Sequence, residues 1–121
     1  MNVINNNDSG TGSLRAAIEQ INSGSDGCNT INMQIPGNSA ISLLSDLPVI
    51  KKNTEIISNG QQIINGNTKY RLFATIMANL TLTNCTLQNG AANGGNGGIT
   101  SGGGLGAGGA IYIDRGNNLI L

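Results

Sequence analysis

Histidine and tryptophan are missing from this chain, and its aromatic side chains are two tyrosines and one phenylalanine. With so few rings, neither an aromatic box nor a platform for stacking bases can be assembled. Charge is scarce as well: six basic and six acidic residues give a formal net charge of zero, and charged residues make up 10% of the chain. A nucleic-acid footprint needs clustered Lys and Arg. Here the one adjacent basic pair is Lys51-Lys52, which reads as a solvated turn. No apolar run approaches the roughly 20 residues of a membrane helix, so membrane insertion by this segment is not expected. The opening Met1-Asn2-Val3-Ile4-Asn5 lacks the basic-then-apolar order of a signal peptide. The two cysteines, Cys28 and Cys85, have no metal-ligand spacing, and no metal or cofactor is expected.

What the chain has instead is glycine and asparagine. Nineteen of its 121 residues are glycine, many of them crowded into residues 90–109, and asparagine often precedes glycine or another turn former. This is the composition of a single small domain with many short strands and turns. Within the glycine-rich stretch, Gly104-Leu105-Gly106-Ala107-Gly108-Gly109 matches G-x-G-x-x-G. That motif holds a dinucleotide only when a strand enters it and a helix leaves it. Here Ala110-Ile111-Tyr112-Ile113 follows, which reads as a strand, so the match is attributed to composition and the stretch to a loop between strands.

One segment has a helical period. In residues 13–22, SLRAAIEQIN, Leu14, Ala17, Ile18 and Ile21 fall on one apolar stripe. Ser13 is the expected N-cap, Gly10 and Gly12 separate the helix from what precedes it, and Asn22-Ser23-Gly24 ends it. So short a helix is marginal alone and must pack its stripe on something. Elsewhere the period is two. Strands are expected at 1–4, 30–35, 41–44, 47–50, 54–57, 62–65, 70–75, 79–83 and 85–88, with two more opening at Ile111 and Leu119. A hairpin over residues 57–63 is an open alternative.

A repeat underlies these strands. Residues 71–82 overlay residues 110–121 at an offset of 39, with Leu72 over Ile111, Phe73 over Tyr112, Leu80 over Leu119 and Leu82 over Leu121. Ile31, Ile56 and Leu80 begin similar segments at steps of 25 and 24, and Asn65-Gly66 and Asn89-Gly90 lie 24 apart. One turn of about 24 residues with a glycine-rich insertion at 90–109 describes a solenoid. With three strands per turn and no intervening helix, the expected fold is all-β: a three-sided parallel β-helix, favoured over an antiparallel sandwich. Residues 1–27 form its N-terminal cap, the helix closing the open end, and residues 28–121 its first three to four rungs. Because Leu119-Ile120-Leu121 stops within a strand, the chain is expected to continue into further rungs of a longer protein.

Residues 5–18, NNNDSGTGSLRAAI, carry a resemblance. They look like the NDSGxGSLRxAI opening of bacterial surface proteins with pectin-lyase-like right-handed β-helices, among them polymorphic outer membrane proteins and autotransporter passengers. Residues 29–33, NTINM, are similar to that group's DTIxF strand, residues 55–60, EIISNG, to a degenerate TIxGxG turn, and residues 80–90, LTLTNCTLQNG, to its LTLxNxxLxNG rung. Gly108-Gly109-Ala110-Ile111 resembles the GGA[I/L] tetrapeptide of polymorphic outer membrane proteins; the accompanying F-x-x-N is absent. The resemblance implies a right-handed coil, a capping helix, a secreted or outer-membrane location, and host-cell surfaces or glycans as partners. It makes Asp8, Gly10, Gly12, Ser13, Leu14, Arg15, Ile18 and Ile21 the structural cap, with Arg15 expected to pair with Asp8 or with turn carbonyls.

Chemistry is harder to find. β-Helix enzymes set acids on adjacent rungs, for calcium or for acid–base work. Here Asp8 and Glu19 belong to the cap and Asp26 and Asp46 to turns; Glu55 and Asp114 fall on different strand columns, so no pair stacks, and Asp114-Arg115 reads as a solvated turn at a strand end. The sequons at Asn79 and Asn84 are ascribed to chance. An ice-binding face needs a threonine ladder on every rung, but Thr81 maps onto Ile120. The expectation is a non-catalytic adhesin-like scaffold; the alternative is the N-terminal part of a carbohydrate-active enzyme with its catalytic residues beyond Leu121. Rung spacing keeps Cys28 and Cys85 about 10 Å apart, too far for a disulfide, so two free thiols are expected.

Overall fold

The computed structural model describes residues 1–24, 28–90, 98–100, 111–113 and 119–120, without the side chains of Cys28 and of the last three segments. Strand β1 (Asn2–Val3) leads to helix α1 (Leu14–Ser23), then to β2 (Cys28–Met33). A single 3-10 turn at Pro36–Asn38 precedes β3 (Ile41–Ser42), β4 (Asn53–Asn65), β5 (Phe73–Thr75) and β6 (Leu80–Gln88). Three short strands follow, β7 (Gly98–Thr100), β8 (Ile111–Ile113) and β9 (Leu119–Ile120). The described chain is therefore mostly strand with one short helix, an all-β fold.

The larger sheet runs β1-β2-β4-β6-β9, with β3 also on β4, and every pair in it is parallel. It is open, not closed on itself. Among the described residues, parallel pairing falls into three sets. The first joins residues 2–3, 28–33, 53–58, 80–83 and 119–120. The second joins 41–42, 64–65 and 87–88, and on β4 and β6 it extends back to Gln62 and Cys85. The third joins Ile50 to Thr75 and β5 to β8. The chain visits the sets in the same order on each pass. A sandwich would need antiparallel ladders, and among the described residues the one antiparallel pair is β7 with β8.

Register explains where the sequence periods mislead. Ile31 pairs with Ile56, a step of 25 as expected, but Ile56 pairs with Leu82 and Thr54 with Leu80, a step of 26. Beyond the corner, Gln62 pairs with Cys85, a step of 23. Four residues of β4, from Ser58 to Gln61, stand opposite Asn84 alone. The period of about 24 thus averages two unequal sides. The offset of 39 holds for Leu80 on Leu119, yet Phe73, not Leu72, pairs with Ile111, an offset of 38. Matching apolar residues by type shifted that register by one, because the two passes differ in length between these strands.

Other expectations shift as well. The segments 54–57 and 62–65 are one continuous strand paired in parallel on both flanks, so there is no hairpin over 57–63. Residues 47–50 contribute one bridge, at Ile50, and 70–75 shortens to Phe73–Thr75. The glycine-rich stretch 90–109 is not wholly loop: Gly98–Thr100 is a strand that pairs with β8. Deleting residues 91–105 removes this strand but none of the parallel pairs. Strand content by circular dichroism should therefore persist and stability change by less than about 1 kcal/mol, because surface insertions are thermodynamically cheap. Loss of the strand signal would contradict the register.

Alternation sets the core. Ile31, Ile56 and Leu82 stack in one row, and Ile41, Ile64 and Leu87 in another, all 2% exposed or less. Their outward neighbours are Thr30, Glu55 and Thr81, then Asn32, Ile57 and Thr83. Each buried aliphatic side chain contributes about 1.5–3 kcal/mol of transfer free energy, which makes these rows the main source of stability. Corners use left-handed backbone, and among the described residues four of the six non-glycine positions with positive φ are asparagines: Asn38, Asn67, Asn84 and Asn89. Asparagine tolerates that region because its short amide can hydrogen-bond locally.

Candidate functional site

The most connected group of polar side chains gathers around α1. Ser13 caps the helix, its Oγ accepting from Ala16 N–H at 3.2 Å. Leu14, Ala17, Ile18 and Ile21 are at most 5% exposed and join the strand interior in one cluster. Gly10 (φ 92°) and Gly12 (φ 83°) take the left-handed turn before the helix. At Gly12 a Cβ would also lie 2.7 Å from Ile4 Cγ1, so glycine is required there on two counts. The helix spans Leu14–Ser23, with Ser13 as its cap, within a residue of the predicted bounds.

Arg15 ties this cap to a distant turn. Its Nε donates to Asp8 O at 3.0 Å and its Nη2 to Asp8 Oδ1 at 3.0 Å. Nη1 reaches Asp46 O at 2.5 Å, and Nη2 also reaches Ser45 O at 2.9 Å. Asp8 Oδ1 accepts a further bond from Leu44 N–H at 2.8 Å. The Arg15 and Asp8 side chains are only 13% and 14% exposed, so the pair works with little solvent screening. At the other end of the helix, Asn22 Nδ2 donates to Val49 O at 2.8 Å and its Oδ1 accepts from Lys51 N–H at 3.0 Å. Both ends of α1 are therefore fastened to residues 45–51. Asp46 also accepts from Arg71 N–H at 2.8 Å and faces the Arg71 guanidinium at 3.9 Å.

The cap residues expected from the sequence thus come together. Asp46, Arg71 and Asn22 belong to the same network and were missed: Asp46 reads as a turn residue and Asn22 as a helix stop. No local signal marks a hydrogen bond between residues 25 to 31 positions apart.

Asp8 and Asp46 are held by arginines and backbone N–H groups. Glu55 lies between Thr30 and Thr81 on the neighbouring strands, so no second carboxylate stands beside it in the ladder. Among the described residues no group of three His, Cys, Asp or Glu side chains converges. Thr81 is in register with Ile120, so the threonine ladder that an ice-binding face needs is interrupted there. Asp26, the G-x-G-x-x-G stretch and Asp114-Arg115 lie outside the described residues. The outward face offers hydrogen-bonding groups: Gln61 Nε2 donates to the Thr86 hydroxyl on the next strand, Asn53 Oδ1 accepts from Asn79 N–H at 2.8 Å, and Asn65 Oδ1 accepts from Asn89 Nδ2 at 3.2 Å.

Cys85 is a free, buried thiol just after the Asn84 corner, its Sγ 3.5 Å from Thr83 O. Burial pushes its pKa up to about 11. The thiol therefore favours the folded state below its ordinary unfolded pKa, and that contribution is lost as pH rises from about 9 to about 11. Cys28 is in register with Asn53 and Cys85 with Gln62, on opposite flanks of β4 and well apart along it. That is two strand spacings, about 10 Å, even before the offset along β4, beyond the roughly 7 Å a disulfide spans. Unreduced, denatured protein should titrate two thiols. Native Cys85 should resist alkylation at neutral pH, and Cys85→Ala should flatten the loss of stability above pH 9. Finding no thiol would overturn this register.

No protein-family model matches the chain, and no curated protein or solved structure matches it either.

Proposed function

We propose that this chain forms the capped N-terminal part of a right-handed, three-sided parallel β-helix. It serves as a non-catalytic display scaffold of a secreted or surface-exposed bacterial protein of the adhesin or autotransporter-passenger kind. The observation that carries this reading is the recurrent order of parallel pairing: three sets visited in turn, with aliphatic rows stacked between them and α1 fastened over residues 45–51. Parallel strands joined by crossovers follow the right-handed rule, which supports the hand that the resemblance implies. A scaffold of this kind needs stacking, a closed end and tolerant corners, and the polar side chains around α1 serve those needs.

The placement of the acids favours a scaffold over a polysaccharide-cleaving enzyme. Acid–base cleavage needs acids on neighbouring strands or a bound cation, and Glu55 is flanked by threonines. The test is a glycan array and a lyase assay on the full-length protein. The scaffold reading predicts no unsaturated product from acidic polysaccharides, with any glycan binding weakened by deleting residues 91–105. Turnover that disappears in Glu55→Gln would overturn it.

A further inference from the structure

Three described Asn-Gly pairs differ in their surroundings: Asn59-Gly60 lies inside β4, Asn65-Gly66 at its end and Asn89-Gly90 just beyond β6. Such a pair is prone to internal attack, because glycine has no Cβ to hinder the approach of its amide nitrogen to the asparagine side chain. We propose that Asn59 is a self-modification site, the position among these three at which the folded chain converts asparagine to aspartate and isoaspartate through a succinimide.

The chemistry needs water and hydroxide alone. Hydroxide takes the Gly60 amide proton, and the nitrogen attacks Asn59 Cγ, forming a five-membered ring. The bond from Cγ to Nδ2 breaks, and Nδ2 leaves as ammonia with a proton from water. Water then opens the ring. Cleavage between Cγ and the Gly60 nitrogen gives aspartate; cleavage between the main-chain carbonyl carbon and that nitrogen gives isoaspartate.

The surroundings set the order of reactivity. Asn59 is exposed, and among the described residues its side chain makes no hydrogen bond. Residues 59–61 have no register partner on either flank of β4: pairing to β2 ends at Ser58, and pairing to β6 is interrupted between Ile57 and Gln62. Asn65-Gly66 is held in place. Gly66 N–H donates to Gln88 O at 2.9 Å, and Asn65 Oδ1 accepts from Asn67 N–H at 2.8 Å and from Asn89 Nδ2 at 3.2 Å. Backbone carbonyl oxygens of Tyr70 and Asn89 also close around Gly66, 2.6 and 2.7 Å from where a Cβ would sit; at Gly60 the close neighbour, at 2.6 Å, is the Asn38 amide nitrogen, the end of a side chain that can move where backbone cannot. Turning Gly66 N onto Asn65 Cγ means breaking these bonds. Asn89 is intermediate, held by its amide bond to Asn65 and by Thr68 N–H donating to its carbonyl at 2.8 Å. The corner at Ser58–Gln61 also has room for the product. It sets four residues against one, so the extra backbone carbon of isoaspartate falls where no ladder bond depends on it.

The test is incubation of the full chain at mildly alkaline pH, then proteolysis and site-resolved mass spectrometry with electron-transfer fragmentation to separate the two products. Asn93-Gly94 and Asn96-Gly97 are scored separately, because they lie outside the described residues. In the native chain Asn59 should convert at least about tenfold faster than Asn65, with Asn89 between them; in denaturant Asn59 and Asn65 should converge within about twofold, because opening of the ladder no longer limits attack. Asn59→Gln, which would close a six-membered ring, should abolish conversion at that position and leave Asn65 unchanged. Equal native rates at Asn59 and Asn65, or a difference that survives unfolding, would overturn the proposal.

Discussion

Ile18→Asp should destabilise the chain by about 4 kcal/mol, read as a fall in the midpoint of chemical denaturation. Ile18 is 1% exposed and lies in the stripe that α1 turns toward the strand interior. Its replacement removes a buried aliphatic group and places a carboxylate in a cluster of apolar side chains. The loss should appear across the whole strand signal, because the helix shares one cluster with Ile31, Ile56 and Leu82. Glu19→Ala, on the exposed side of the same turn, should melt like the parent. If Ile18→Asp also melts like the parent, the helix does not close the strand interior.

Arg15→Ala should cost about 3 kcal/mol. The guanidinium donates to Asp8 O, Asp8 Oδ1, Ser45 O and Asp46 O, and truncation strips all four of that donor at once. Arg15→Lys should recover only part of the loss, since a single ammonium cannot reproduce the planar fork that reaches both Asp8 and the turn at Ser45 and Asp46. The effect should change little between low and moderate salt, because the pair is mostly buried. A loss below about 0.5 kcal/mol would mark the contact as an ordinary surface pair.

Much of this arrangement can be read from local pattern. The helix announces itself through Leu14, Ala17, Ile18 and Ile21 and through the Ser13 cap, because a 3.6 period and an N-cap are properties of a dozen consecutive residues. Strands such as Leu80–Gln88 show in the alternation of Leu80 and Leu82 with Thr81 and Thr83. Register is different. It depends on corner length, and Ser58–Gln61 against Asn84 adds residues that no periodicity announces. The pairing of Phe73 with Ile111 in place of Leu72 has the same origin. Asparagine at corners is legible, since Asn38, Asn84 and Asn89 suit left-handed backbone; Met77 and Thr68 adopt it too, and nothing in their chemistry foretells it. At the cap, the pairing of Arg15 with Asp8 spans seven residues and is within reach of a motif. The bonds to Ser45 and Asp46 exist only once the strands have stacked.

The central claim is that successive passes of the chain stack in parallel, in register. Spin labels at Thr30 and Thr81, with both native cysteines replaced by serine, test it most directly. Both positions pair with Glu55, one on each flank of β4, so their backbones lie two strand spacings apart, about 10 Å. Strong dipolar broadening of the continuous-wave spectrum, abolished in denaturant, is the result predicted; a doubly labelled spectrum equal to the sum of the two single ones would contradict the stacked arrangement.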